Sequence, residues 1–312
     1  MRRVALTLLA GLLWSTSADA QLSGFNFRGD WGIASGTQPD PHLYLVPVYS
    51  RYSTNSVRDS DGEARPNVSA TIDLDVVAAF VWWVTDLEIL GANYGIQLSM
   101  PWVGSALEAP GLGVGVDNDL GFGDLYVQPI NLGWHRDRAD FMVGAGVYVP
   151  TGRWNLGADD NRGLGMWGFD VTAGSTVYLN RARSLSVSAL AAWETHTKKE
   201  DTDIKVGDLL TLEGGLGASF LEGGLNVGAA YFFQWKLTGD DLGIEVLPRL
   251  DKARSYGIGP EATVAIPLGG KLRGIVTARY LWDYGVRSTA EGETFVAMLT
   301  VPLPSITLDG GS

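Results

Sequence analysis

Residues Leu225–Leu237 read LNVGAAYFFQWKL. Every second position gives Leu225, Val227, Ala229, Tyr231, Phe233, Trp235 and Leu237; between them stand Asn226, Gly228, Ala230, Phe232, Gln234 and Lys236. A period of two is the mark of a strand, because successive side chains of an extended chain point to opposite faces. One face is apolar and ends in three aromatics, while the other carries amides, glycine and a lysine. A soluble sandwich would bury the apolar face, and a membrane barrel would turn it to lipid. The rest of the chain has to choose.

Eleven further alternating segments accompany this one (224–237). The others are 43–52, 70–84, 87–102, 122–134, 140–150, 165–179, 184–196, 206–220, 254–267, 271–284 and 292–303. Connections after the even-numbered segments are tight, as at Thr85-Asp86 and Leu221–Gly223. Those after odd-numbered segments are mostly long and polar, such as STNSVRDSDGEARPNVS, VGSALEAPGLGVGVDNDLG and TGDDLGIEVLPRLDKA. Strict long–short alternation is the layout of an outer-membrane barrel, with short periplasmic turns and long extracellular loops. The segments are also longer than the usual five or six residues of a soluble strand, approximately what a tilted crossing of the bilayer needs. The fold expected is all-β, a transmembrane antiparallel barrel of about 12 strands.

Composition agrees. Glycine makes up 41 of 312 residues, about twice its ordinary share, and it accompanies aromatics rather than low complexity. There is no cysteine, so neither a disulfide framework nor a thiolate metal site is available. A net charge of −12 argues against a nucleic-acid partner. The longest apolar run, Val76–Val84 (VVAAFVWWV), is too short for a membrane helix. Arg2 and Arg3, the apolar VALTLLAGLLW and Ala18-Asp19-Ala20 read as a signal peptide over 1–20. Residues 21–42 are then a periplasmic lead or a plug tucked into the lumen, 43–303 the barrel, and 304–312 a tail. Tryptophans near segment ends, including Trp82, Trp83, Trp134, Trp193, Trp235 and Trp282, match interfacial girdles.

Several motifs bear a resemblance. Gly121-Phe122-Gly123-Asp124-Leu125 followed by Pro129, Val149-Pro150-Thr151-Gly152-Arg153, GLGMWGFDVTAGSTVYL (163–179) and TARYLWDYGVRSTAEGETFVAMLTVPL (277–303) stand in the order seen in one family. The chain resembles the MetA-pathway phenol-degradation family of outer-membrane barrels over nearly everything after residue 43. That resemblance implies a monomeric or trimeric barrel in the cell outer membrane that passes small hydrophobic or aromatic molecules. Its surroundings would be outer-membrane lipid and lipopolysaccharide, and its insertion would use the barrel-assembly machinery. Such barrels commonly finish on an aromatic residue, whereas this chain continues past Leu303 as PSITLDGGS.

Parity assigns the candidate lumen-lining set: Asp73, Asp75, Gln97, Asp124, Gln128, Asp170, Glu213, Lys236, Glu261, Arg273, Arg279 and Asp283, with Tyr126 and Phe232 as lumen aromatics. On the second segment this puts Ile72, Leu74, Val76, Ala78, Phe80 and Trp82 on the lipid side. The lumen charges either line a solute path or brace the wall as ion pairs, since an unpaired buried charge is costly. His42, His135 and His196 fall at different rims and read as surface histidines, which speaks against a serine–histidine hydrolase. The D-x-D-x-G of 117–121 meets Gln128 where a calcium loop needs Glu, so it reads as a solvated turn. No catalytic residue, metal or cofactor is expected. The function expected is passive passage; a closed structural or adhesive barrel and an outer-membrane hydrolase are the alternatives.

Overall fold

The computed structural model describes residues 23–64, 70–109, 114–243, 252–269 and 271–303. The signal peptide and the tail 304–312 lie outside the described residues.

Thirteen strands follow in chain order: β1 (His42–Val57), β2 (Thr71–Ile89), β3 (Ala92–Ala109), β4 (Val114–Phe122), β5 (Leu125–His135), β6 (Ala139–Val149) and β7 (Gly168–Tyr178). Then come β8 (Leu185–His196), β9 (Leu209–Phe220), β10 (Leu225–Lys236), β11 (Arg254–Leu268), β12 (Lys271–Arg287) and β13 (Ala290–Pro302). All pairings are antiparallel, and β1 closes the ring on β13 from Tyr44↔Pro302 to Val57↔Ala290. Closure satisfies every strand edge inside the bilayer, where water cannot. Twelve strands form the ring and correspond one to one with the twelve alternating segments.

The thirteenth is a correction. Residues 103–109 and 114–121, read above as parts of an outer loop, extend β3 and form β4. The lower half of β3 pairs with β5, from Asn93↔Gly133 to Ser99↔Tyr126. Its upper half pairs with β4, from Trp102↔Phe122 to Ala109↔Val114. Asp117 and Asp119 therefore sit on a strand rather than in a turn. Glycines and acids interrupt the apolar rhythm of this hairpin, which hides it from a pattern search.

On β10 the apolar face meets lipid. Val227 is 37% exposed, and its diagonal neighbours on the same face, Leu216 (57%) and Val264 (45%), are exposed too, whereas Phe232 on the other face is fully covered. The interior instead holds polar side chains such as Gln97, Gln128, Asn131, Asp170, Glu194, Glu213, Glu261 and Arg279, all buried. The polarity of a soluble protein is inverted, as a lipid solvent requires.

Candidate functional site

Residues 23–41 run through the barrel from the long-loop end to the short-turn rim. Gly24 abuts Glu194 and Leu209 near the outer ends of β8 and β9. Lower down, Thr37 donates to Asp140 (3.1 Å) and Gln38 to Asn131 (2.6 Å), beside the short turns. The start of the described chain thus sits towards the outside, not at the periplasmic end where a barrel of even strand number would leave a free lead.

Three wall glutamates hold this segment by its backbone. Glu194 accepts from the amides of Phe25 (2.6 Å) and Asn26 (3.0 Å). Glu213 accepts from Gly29 (2.8 Å) and Trp31 (2.7 Å). Glu261 accepts from Ile33 and pairs with Arg279 at 3.2 Å, and Arg279 in turn donates to the carbonyl of Gly29 (2.9 Å). Arg28 reaches Asp283 (3.4 Å) and lies over the Tyr52 ring. Amide donors aimed at carboxylates are charge-assisted bonds, so they compensate acids that the two arginines leave unmatched. Close seating needs missing side chains: a Cβ on Gly215 would stand 2.9 Å from the backbone of Ile33. Glycine on this wall is therefore a docking surface for a chain.

The segment is hydrogen-bonded mainly to the β5–β12 wall and meets the β1–β3 side through Arg28 over Tyr52 and Trp31 against Trp82. A cavity of about 1050 Å³ remains beside it, bordered by side chains from all twelve strands of the ring. One wall is apolar, built from Val46, Val48, Ile72, Leu74, Val76, Ala78, Phe80 and Val103; Phe27, Trp31 and Ile33 of the segment border it as well. Trp31 meets Trp82 edge-on at 6.2 Å.

This reverses the face assigned to β2. Val76 and Ala78 are buried on the cavity side, while Val77 and Trp83 are exposed to lipid. Asp73 and Asp75 consequently point outward and leave the lumen set. Arg51, opposite Asp75 in register, bridges them at 3.3 and 3.5 Å, and Tyr49 donates to Asp75 (2.6 Å). Because VVAAFVWWV is apolar on both faces, the two acids were the sole marker of the lumen side. Trp82 likewise turns inward and leaves the girdle. Arg273 also departs from its assignment: it is exposed near the short-turn rim, two residues from the start of β12.

The other nine candidates face inward. Gln97 and Gln128 are buried, with Gln128 accepting from Asn131 at 2.8 Å. Asp170 takes the hydroxyl of Tyr126 (3.2 Å), and Lys236 pairs with Asp240 (2.7 Å). Asp240, in the loop after β10, is buried and also accepts from Gly207. Asp124 accepts from the amides of Gly152 (2.9 Å) and Leu164 (2.6 Å). The glycine-rich motif at 121–125 and the motif at 149–153 thus touch, and together they pin the loop that follows β6.

His196 is a further correction, since its ring is wholly buried between Phe25 and Glu194 (Nε2 to Oε1, 2.5 Å). His135 sits at the short-turn rim, 3.2 Å from Asp140, which also takes Arg183 and Tyr178. Glu194 and Asp140 were not singled out because each is an acid near the end of its strand, where a charge also suits the rim. Parity on β8 (Ser186, Ser188, Leu190, Ala192, Glu194, His196) was the signal available.

In the loop after β8, Lys199 is buried against Trp154 and donates to the carbonyl of Leu164 (2.6 Å). Burial pulls its ammonium down from 10.5 to about 8, against the attraction of Asp124 and Asp240. Between those values the opened loop binds more protons than the closed one, so closure strengthens as pH rises from about 8 towards 10.5. Hydrogen exchange of 197–208, corrected for intrinsic rates, should show that slope, and Lys199→Met should remove it.

The model of the MetA-pathway of phenol degradation family matches residues 54–299. The chain belongs to this family. Its barrel superposes on the crystal structure of an outer membrane channel from Pseudomonas putida F1 with a TM-score of 0.75, at 14% identity, over 89% of this chain and 100% of that one. Looser likenesses include the translocator domain of the autotransporter NalP from Neisseria meningitidis (TM-score 0.49, 12% identity, 97% and 98% covered). A FadL homologue from Pseudomonas aeruginosa gives 0.46 at 10% identity, with 90% and 99% covered. No curated protein sequence matches. The family member described here is an outer-membrane β-barrel.

Proposed function

We propose that this family member is a passive outer-membrane channel for small hydrophobic or aromatic molecules, without a catalytic step. The observation that carries the reading is the apolar wall of β1–β3 facing a cavity that runs beside the docked segment. An aqueous pore for sugars or ions would be lined by polar groups on all sides, whereas apolar solutes lose water favourably along such a wall. The structural relative from Pseudomonas putida F1 is itself a channel, which agrees. Liposomes holding the purified barrel should admit a small aromatic such as toluidine faster than empty liposomes, and swell little in sugars. No gain in aromatic uptake would sink the reading. The close anchoring of the segment by Glu194, Glu213 and Glu261 favours one alternative, a barrel with a closed lumen, which predicts neither uptake nor swelling.

A further inference from the structure

We propose that Arg254 and Arg287 form a binding site on the outer wall of the barrel for a phosphate group of lipopolysaccharide. Arg254 opens β11 and Arg287 ends β12, so both stand at the long-loop end, directly opposite one another in register. On β11 the inward residues include Ser255, Gly257, Gly259 and Glu261, so Arg254 shares the outward face with Tyr256 and the exposed Ile258. Arg254 stands on the rim and also borders the cavity mouth.

Plain alternation would turn position 287 inward, because Arg279, Leu281 and Asp283 point that way. A bulge prevents it. The register jumps from Tyr256↔Tyr284 to Arg254↔Arg287, so Ser255 faces two residues, Gly285 and Val286. Gly285 takes φ +61°, a conformation that costs glycine little. Val286 is then buried and Arg287 emerges on the same outer face as Arg254. The bulge therefore brings two like charges together, where cross-strand repulsion opposes stability.

No acidic side chain among the described residues offsets that repulsion. Neither arginine makes an ion pair among the described residues, and the Nε of Arg254 is buried without a hydrogen-bond partner. Its guanidinium lies over the Tyr256 ring at 5.7 Å instead. On a chain of net charge −12, this unmatched pair is conspicuous. Two guanidinium forks suit the oxygens of a phosphate. Towards the membrane stands an aromatic shelf, with Tyr256 5.8 Å from both Trp235 and Tyr284 and 5.3 Å from Phe233. That shelf offers a bed for acyl chains beneath the headgroup, so the phosphate is a lipid's rather than a free ion's. Outer-membrane barrels meet such a phosphorylated glycolipid at this rim. The site stands whether or not the lumen conducts.

Native mass spectrometry of the purified full chain tests this with bisphosphorylated lipid A, dephosphorylated lipid A and inorganic phosphate as separate probes. We expect Arg254→Gln/Arg287→Gln to weaken bisphosphorylated lipid A at least roughly tenfold, as charge-assisted forks would. Dephosphorylated lipid A should bind both proteins alike, and Arg273→Gln, at the opposite rim, should leave binding unchanged. Equal affinity of the wild type and the double variant overturns the proposal. So does an equal loss in Arg273→Gln, which would mean general charge, and so does displacement of the lipid by equimolar inorganic phosphate. Heat-modifiable migration confirms folding; if the double variant does not fold, the single variants decide by the same comparison.

Discussion

Glu194→Ala/Glu213→Ala should convert the barrel from a low-conductance to a high-conductance pore, and deletion of residues 23–36 should do the same. The two carboxylates accept four backbone amides, from Phe25, Asn26, Gly29 and Trp31. Hydrogen bonds to charged groups contribute about 1.5 kcal/mol each at the low end. Losing four weakens docking by about 6 kcal/mol, and about 5.5 kcal/mol suffices to move a two-state equilibrium from 1:99 to 99:1. Glu261 is left in place because it neutralises the buried Arg279 at 3.2 Å, and stripping one partner of such a pair endangers the fold. Single-channel recording in planar bilayers reads the outcome, with an expected rise of several-fold, short of the broad conductance of wider porin barrels. If the double variant conducts like the wild type while the deletion does not, the glutamates are not what retains the segment. Unchanged conductance in both means the segment lies outside the conducting path.

That experiment also marks where sequence reasoning succeeded and where it stopped. The ring was legible because lipid and lumen impose a period of two on β10 and its neighbours, and because turn lengths alternate. Nine of the twelve proposed lumen positions face inward for the same reason. Asp73 and Asp75 misled because β2 is apolar on both faces, so parity had to be read from two acids that pair with Arg51 on the outer face. Arg287 was invisible to parity because one glycine bulge, at Gly285, reverses the face beyond it. The role of Glu194 and Glu213 lay further out of reach. Their partners are backbone amides, which every sequence has, so no residue type announces the contact. The glycines that admit the segment, such as Gly215, look in sequence like the small residues any barrel uses.

Val76→Trp should abolish uptake of small aromatics while Val77→Trp leaves it within about twofold of wild type, the usual latitude of a tolerated surface change. The two positions are neighbours on β2, yet Val76 lines the cavity and Val77 is 37% exposed on the lipid side. The cavity of about 1050 Å³ extends along a membrane core about 30 Å thick. That volume is close to the upper end of the roughly 300–1,000 Å³ usual for small-molecule sites, so one bulky side chain takes up a sizeable part of it. An indole at Val76 occupies part of that space, on the same face of β2 as Trp82, which already meets Trp31 edge-on. At Val77 the same indole joins Trp102, its register partner, among side chains already facing lipid. Uptake into liposomes, with folding checked by heat-modifiable migration, separates the two. Loss in both variants would mean that β2 tolerates no bulk on either face. Loss in Val77→Trp alone would restore the opposite assignment of faces, with Asp73 and Asp75 in the lumen. Uptake persisting in Val76→Trp would move the solute path away from the β1–β3 wall altogether, towards the polar side where Asp170 and Tyr126 meet.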